Sequence, residues 1–144
     1  MSTPQFTTAL SSAQSKAKFT PEVQAAAEKV NADALTSAVE AVLAGDDAAS
    51  VSGEQADALT QGFEFATLLV KQLSSEPGST EMLNLYKYFK RANNQEPAKP
   101  SMFALEAKYK YQAWESIKTI SQQRAQALYI KEVDTLIEKY GTRD

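Results

Sequence analysis

A chain of 144 residues, 43% hydrophobic and 23% charged with a net charge of −3, suits one modest domain or a smaller domain plus an extension, and is not the basic chain of a general nucleic-acid binder. It has neither cysteine nor histidine, which excludes disulfide frameworks, thiolate zinc sites, Cys nucleophiles and His-based triads. The charge is uneven: three lysines face eight acids in residues 1–60, whereas twelve Lys and Arg face ten acids in residues 61–144.

Taken in order, the elements read as helices throughout. Gly and Pro are sparse, and alanine, leucine, lysine and glutamate recur at helical spacing. Thr3-Pro4 opens a first short helix with Phe6 and Leu10 four apart. The start of this stretch lacks the apolar segment of a signal peptide, and no stretch approaches the roughly 20 apolar residues that span a bilayer. A soluble, cytoplasmic protein without stable membrane insertion is therefore expected. Thr20-Pro21-Glu22 is a second start, with a hydroxyl cap, proline in the first turn and an acid at the positive dipole end. Val23, Ala27, Val30, Leu35, Val39 and Val42 come next, with a break expected at Asn31 or Asp33. Gly45 is expected to stop the run by adopting a left-handed backbone. Residues 45–57 are small, polar and acidic and read as a linker. Residues 1–60 thus form an extension too poor in large apolar side chains to fold alone. It is expected either to pack back on the rest or to contact a partner.

Four helices are expected beyond it. The first, over 61–73, carries Phe65, Leu68, Leu69 and Leu73. After the Pro77-Gly78 turn, Ser79 caps a second helix running to about Ala92. A loop with two prolines leads to a third helix over 106–118, with Trp114 and Ile117 inward. Ser121 caps a fourth, which Gly141 ends. Four short helices with short loops imply a small bundle.

Two segments interleave aromatics with cations: Tyr86-Lys87-Tyr88-Phe89-Lys90-Arg91 and Lys108-Tyr109-Lys110-Tyr111, the latter followed by Trp114. Tyr86 and Lys90 share a helix face, as do Lys110 and Trp114. A ring beside an ammonium suits a phosphorylated nucleotide: the ring stacks on a base and the cation binds phosphate oxygens. The same spacing also serves core aromatics and a solvated lysine face. There is no GxGxxG or GxxxxGK[ST], so neither a dinucleotide fold nor a P-loop is indicated.

At these residues the chain resembles the acyl-CoA-binding protein family. Met82-Leu83-Asn84-Leu85-Tyr86-Lys87-Tyr88-Phe89-Lys90-Arg91-Ala92 is similar to the family's second-helix pattern, M-L-x-x-Y-x-x-[YF]-K-x-A. Pro100-Ser101-Met102 is similar to its P-G-M loop, and Lys108-Tyr109-Lys110-Tyr111-Gln112-Ala113-Trp114 to its K-x-K-W-x-A-W helix. Ala127-Leu128-Tyr129-Ile130, Val133, Leu136 and Lys139-Tyr140-Gly141 resemble its fourth-helix ending, and Phe63 to Val70 fits its first helix. The match covers about residues 61–141. Tyr111 replaces a tryptophan, Ser101 a glycine, and Glu106 stands where a lysine is frequent.

The resemblance implies an all-α, four-helix acyl-CoA-binding-protein-like bundle at 61–144, preceded by a helical extension at 1–60. It implies non-catalytic intracellular binding and transport of medium-to-long-chain fatty acyl-CoA esters, with no cofactor and no metal. Carried over residue by residue, Tyr86, Lys90, Lys110 and Tyr129 would hold the 3′-phosphate and adenine. Lys71 and Ala66 would lie near the head group, and Met82 and Leu83 would border the acyl groove. Acyl-CoA donor and acceptor enzymes are expected as transient partners of a monomer, with no nucleic acid. A helical protein–protein or RNA-interaction module using the same basic aromatic face is the alternative.

Overall fold

A computed structural model describes residues 3–101 and 104–143, so Met102 of the loop motif lies outside the described residues. These residues form α1 (Pro4–Gln14), α2 (Pro21–Glu28), α3 (Ala32–Ala44), α4 (Gly53–Leu69), α5 (Ser79–Ala92), α6 (Leu105–Glu115) and α7 (Gln122–Tyr140). The fold is all-α, a four-helix bundle with a helical N-terminal extension. The one β-type pairing among the described residues is an isolated antiparallel bridge between Leu73 and Thr142.

Local chemistry sets three of the helix starts. Thr20 Oγ1 accepts from the Val23 N–H at 3.3 Å, and Asn31 Oδ1 accepts from the Ala34 N–H at 3.1 Å. Ser121 Oγ accepts from the Arg124 N–H at 3.0 Å. Each side chain satisfies an amide that the first helical turn leaves without a partner. Asn31, rather than Asp33, is thus the break between α2 and α3.

Four expectations are corrected. The first bundle helix begins at Gly53, not near residue 61, so residues 53–57 are helical rather than linker. Gly53 turns the chain at φ +60, and Ala58 and Leu59 are already buried in the first turns. Gly45 stops α3 in an extended conformation, φ −88 and ψ −168, not a left-handed one. It needs to be glycine for space, because a Cβ there would sit 2.6 Å from Ala49 Cβ. Gly78, not Ser79, is the cap of α5. Finally, α6 ends at Glu115, three residues early; the turn after it is closed by the Ile117 N–H on the Trp114 carbonyl.

The extension packs back on the bundle. Its Phe6, Leu10, Val23, Leu35, Val39 and Val42 join Phe63, Phe65, Leu69, Ile130, Val133 and Leu136 in one buried cluster. Phe6 meets Phe65 edge-on, with centroids 5.6 Å apart. Few large side chains suffice because Ala13, Ala27 and Ala38 are fully buried and let backbones approach closely. Polar fasteners add direction. The buried Asp134 carboxylate of α7 accepts from the Phe6 N–H at 2.8 Å, serving the first turn of α1. Arg124 Nη1 donates to the Val42 and Gly45 carbonyls, each at 3.0 Å, where the negative end of the α3 dipole favours a cation.

Within the bundle, α5 packs on α7 and α6, and α4 on α7. Glu81 anchors the start of α5: Oε1 accepts from the Gly78 N–H and the Tyr140 hydroxyl, and Oε2 from Lys139 Nζ at 3.1 Å. At its other end Arg91 Nε donates to the Ile120 carbonyl at 2.7 Å, and Gln122 Nε2 to the Ala92 carbonyl at 2.8 Å. Both ends of α5 are thereby held against α7 and the turn leading into it.

Candidate functional site

With α5 so fixed, its 3.6-residue period places Tyr86 and Lys90 on one face. Helix α6 brings Lys110 to the same ring. Lys90 Nζ lies 5.7 Å from the Tyr86 centroid and Lys110 Nζ 5.5 Å. Both cations are within the range in which the ring quadrupole attracts them, so the tyrosine partly offsets the repulsion between two like charges.

The ring forms part of an open concavity of about 870 Å³. Of the residues expected at the site, Lys71, Met82, Leu83, Tyr86, Lys110 and Tyr129 line it. Lys90 flanks it through the Tyr86 ring. Ala66 is not in the lining: its side chain is fully buried in the core, with 0% exposure. The lining combines an apolar part, including Val70, Leu73, Met82 and Leu83, with cations at Lys71, Lys110 and Arg143. Met82 and Tyr109 stand on its rim at 55% and 59% exposure, high for side chains of this size.

Tyr129 sits deep in this wall. Its ring is only 4% exposed and meets Phe63 edge-on at 5.1 Å. Burial pushes its phenol well above the ordinary tyrosine value. It therefore stays protonated near neutral pH, and can donate a hydrogen bond but not act as a base. Lys110 has a competing anion: Glu106, one turn before it on α6, lies 3.4 Å from its Nζ. Glu106 also lines the concavity.

Sequence reasoning missed Arg143, Val70 and Tyr109 as lining residues. Val70 and Tyr109 lie within matched motifs, and Tyr109 is adjacent to Lys110, so they could have been found. Arg143 lies beyond the helix-ending glycine and carries no periodic signal. The bridge between Leu73 and Thr142 brings it to the wall. Among the described residues, no group of three or more His, Cys, Asp or Glu side chains is placed to hold a metal. No described helix is long and apolar enough to cross a membrane.

Residues 60–133 match the family model described as acyl CoA binding protein. The acyl-CoA-binding protein of Saccharomyces cerevisiae is 37% identical over 86 residues, covering 58% of this chain and 99% of the yeast protein. Acyl-CoA-binding protein homolog 1 of Caenorhabditis elegans is 38% identical over 85 residues, covering 58% of this chain and 99% of its own length. The acyl-CoA-binding protein homolog of Drosophila melanogaster is 37% identical over 85 residues, with coverage again of 58% and 99%. Matches of this identity, spanning nearly the whole length of each relative and falling on the helices that build the concavity, show that the chain belongs to the acyl-CoA-binding protein family.

Proposed function

We propose that this protein binds medium-to-long-chain fatty acyl-CoA esters without covalent chemistry and carries them between the enzymes that make and use them. Residues 61–144 would bear the site, and residues 1–60 would brace it from behind. The observation that carries this reading is the Tyr86 ring, with Lys110 beside it in the concavity and Lys90 flanking it, paired with an apolar wall. The size, about 870 Å³, suits a large amphiphilic ligand.

The division of labour rests on magnitudes. A charge-assisted hydrogen bond from Lys90 or Lys110 to a phosphate oxygen contributes about 1.5–3 kcal/mol. Each buried methylene contributes about 0.8 kcal/mol, so ten contribute about 8 kcal/mol before ordering costs. The lysines, with Tyr86 stacked on the base and Tyr129 donating a hydrogen bond, would select the CoA head. The apolar wall would supply much of the affinity and shield the thioester from water. Lys71 would neutralise head-group charge from the α4 side. No step requires bond breaking, and the ligand returns intact.

Lys90→Ala and Lys110→Ala test the site by titration with palmitoyl-CoA. Each should weaken binding about 10–150-fold, the range that about 1.5–3 kcal/mol produces, with melting temperature unchanged. Wild-type affinity in both variants would refute the assignment. Binding of RNA instead, weakening steeply with salt and indifferent to acyl chains, would favour an interaction module.

A further inference from the structure

We infer that Arg143 is an additional phosphate-contacting residue of the concavity, and that the N-terminal extension helps hold it there through Lys18 and Thr142. This rests on the acyl-CoA reading above and assigns the extension a part in it.

The segment after Gly141 is clamped to the end of the α4 wall. The Ser74 N–H donates to the Gly141 carbonyl at 2.9 Å, and the Arg143 N–H to the Gln72 carbonyl at 2.7 Å. The Arg143 side chain is oriented too, because its Nε donates to the Leu73 carbonyl at 3.2 Å. With Nε occupied, the two terminal amino groups of the guanidinium are left at the wall of the concavity, with no protein partner among the described residues. A planar, permanently charged fork that is already oriented loses little entropy when it meets phosphate. Lys71 lines the same wall and adds a second positive charge. The acids facing the concavity, Glu76 and Glu106, are outnumbered by Lys71, Lys110 and Arg143.

The extension reaches this clamp directly. Lys18 Nζ, in the turn between α1 and α2, donates to Thr142 Oγ1 at 2.7 Å. That turn is itself fixed, since Gln24 Nε2 donates to the Lys18 and Phe19 carbonyls at 3.1 and 3.3 Å. Lys71 lies at the same junction: it also lines a smaller cleft of about 360 Å³ whose other side is Thr20 to Val23 of the extension. Ordering of the extension thus bears on one cation of the site through Thr142 and abuts another at Lys71.

The test is calorimetric titration of the full-length protein with palmitoyl-CoA at low and physiological salt. The variants are Arg143→Ala, Arg143→Lys, Thr142→Val, and Thr142→Val combined with Arg143→Ala, with Lys110→Ala alongside. Arg143→Ala should weaken binding about 3–10-fold and make it less salt-dependent, with Arg143→Lys intermediate. Thr142→Val should weaken binding about 2–3-fold when Arg143 is present and not at all when it is absent. Arg143→Gln, which keeps side-chain donors without the charge, should match Arg143→Ala and serves if that variant unfolds. Unchanged affinity and salt dependence on removing the charge, with Lys110→Ala still weakened, would overturn the role of Arg143 while leaving the site intact. An equal Thr142→Val effect in both backgrounds would overturn the link to the extension. No palmitoyl-CoA binding by the wild type would overturn both this inference and the reading beneath it.

Discussion

The extension comes very close to the bundle at Gly62 of α4, which lies against Leu35 of α3. A Cβ at Gly62 would lie 2.6 and 2.7 Å from the two Leu35 methyls and 3.2 Å from its Cγ. Leu35 is 4% exposed and cannot swing away into solvent. Gly62→Ala should therefore incur an overpacking cost of about 1–3 kcal/mol. Against this stands the helical preference for alanine, about 0.5–1 kcal/mol. The net expectation is a loss of about 0–2.5 kcal/mol. Leu35→Ala alone should cost about 2–5 kcal/mol, as a buried truncation. With the leucine gone the new methyl has room, so Gly62→Ala in the Leu35→Ala background should stabilise by about 0.5–1 kcal/mol. The four proteins would be compared by urea unfolding, with the slope checked for constancy. The reversal of sign is the decisive feature. If Gly62→Ala has the same effect in both backgrounds, α3 does not lie on α4 as described, and the docking of the extension is wrong.

Three further outcomes are expected. Asp134→Ala should destabilise by about 1.5–3 kcal/mol, because it leaves the buried Phe6 N–H without its carboxylate; hydrogen exchange should show lost protection centred on α1 rather than on α5 or α6. The Glu81 carboxyl is held below its ordinary value of 4.5 by the Tyr140 hydroxyl, the Gly78 N–H and then Lys139. Its stabilising effect is thus present above about pH 4.5 and lost as pH falls through the lower folded-state value. Glu81→Gln should be less stable at pH 7, and should lose less on acidification than wild type in circular-dichroism melts; an identical acid profile would count against the assignment. Glu106→Gln, which frees Lys110 from its ion pair and removes a negative charge from the lining, should tighten binding of free CoA about 2–5-fold; weaker binding would mean that Glu106 contacts the ligand favourably.

Several signals confined to a few neighbouring residues were legible in the sequence, although the Ser79 cap and the left-handed stop at Gly45 were not among them. Thr20 and Ser121 cap their helices as expected, and Asn31, one of the two expected break points, caps α3, because a capping bond needs only the next three residues. Gly141 ends α7 with φ +72. The spacing within α5 put Tyr86 and Lys90 on one face, since i and i+4 positions face one way on any helix, whereas the meeting of Lys110 with that ring was implied only by the family resemblance. Features that depended on distant contacts were not legible. The docking of the extension rests on alanines such as Ala13, Ala27 and Ala38, whose burial contributes through close backbone approach and leaves no strong apolar signature. The start of α4 was hidden because its first turn, Gly53-Glu54-Gln55, has the composition of a loop and gains its order from the buried turns beyond it. Ala66, which the resemblance places near the head group, is enclosed by the core around α4 and is not in the lining. Arg143 joined the lining only through hydrogen bonds to residues about 70 positions away.

The most direct measurement is parallel titration calorimetry of the full-length protein with palmitoyl-CoA, free CoA and palmitate. The expected result is tight one-to-one binding of palmitoyl-CoA, with CoA much weaker because it lacks the chain and palmitate weakest because it lacks the head-group anchors. Failure to bind palmitoyl-CoA, or equal binding of all three, would contradict a concavity that recognises head and chain together.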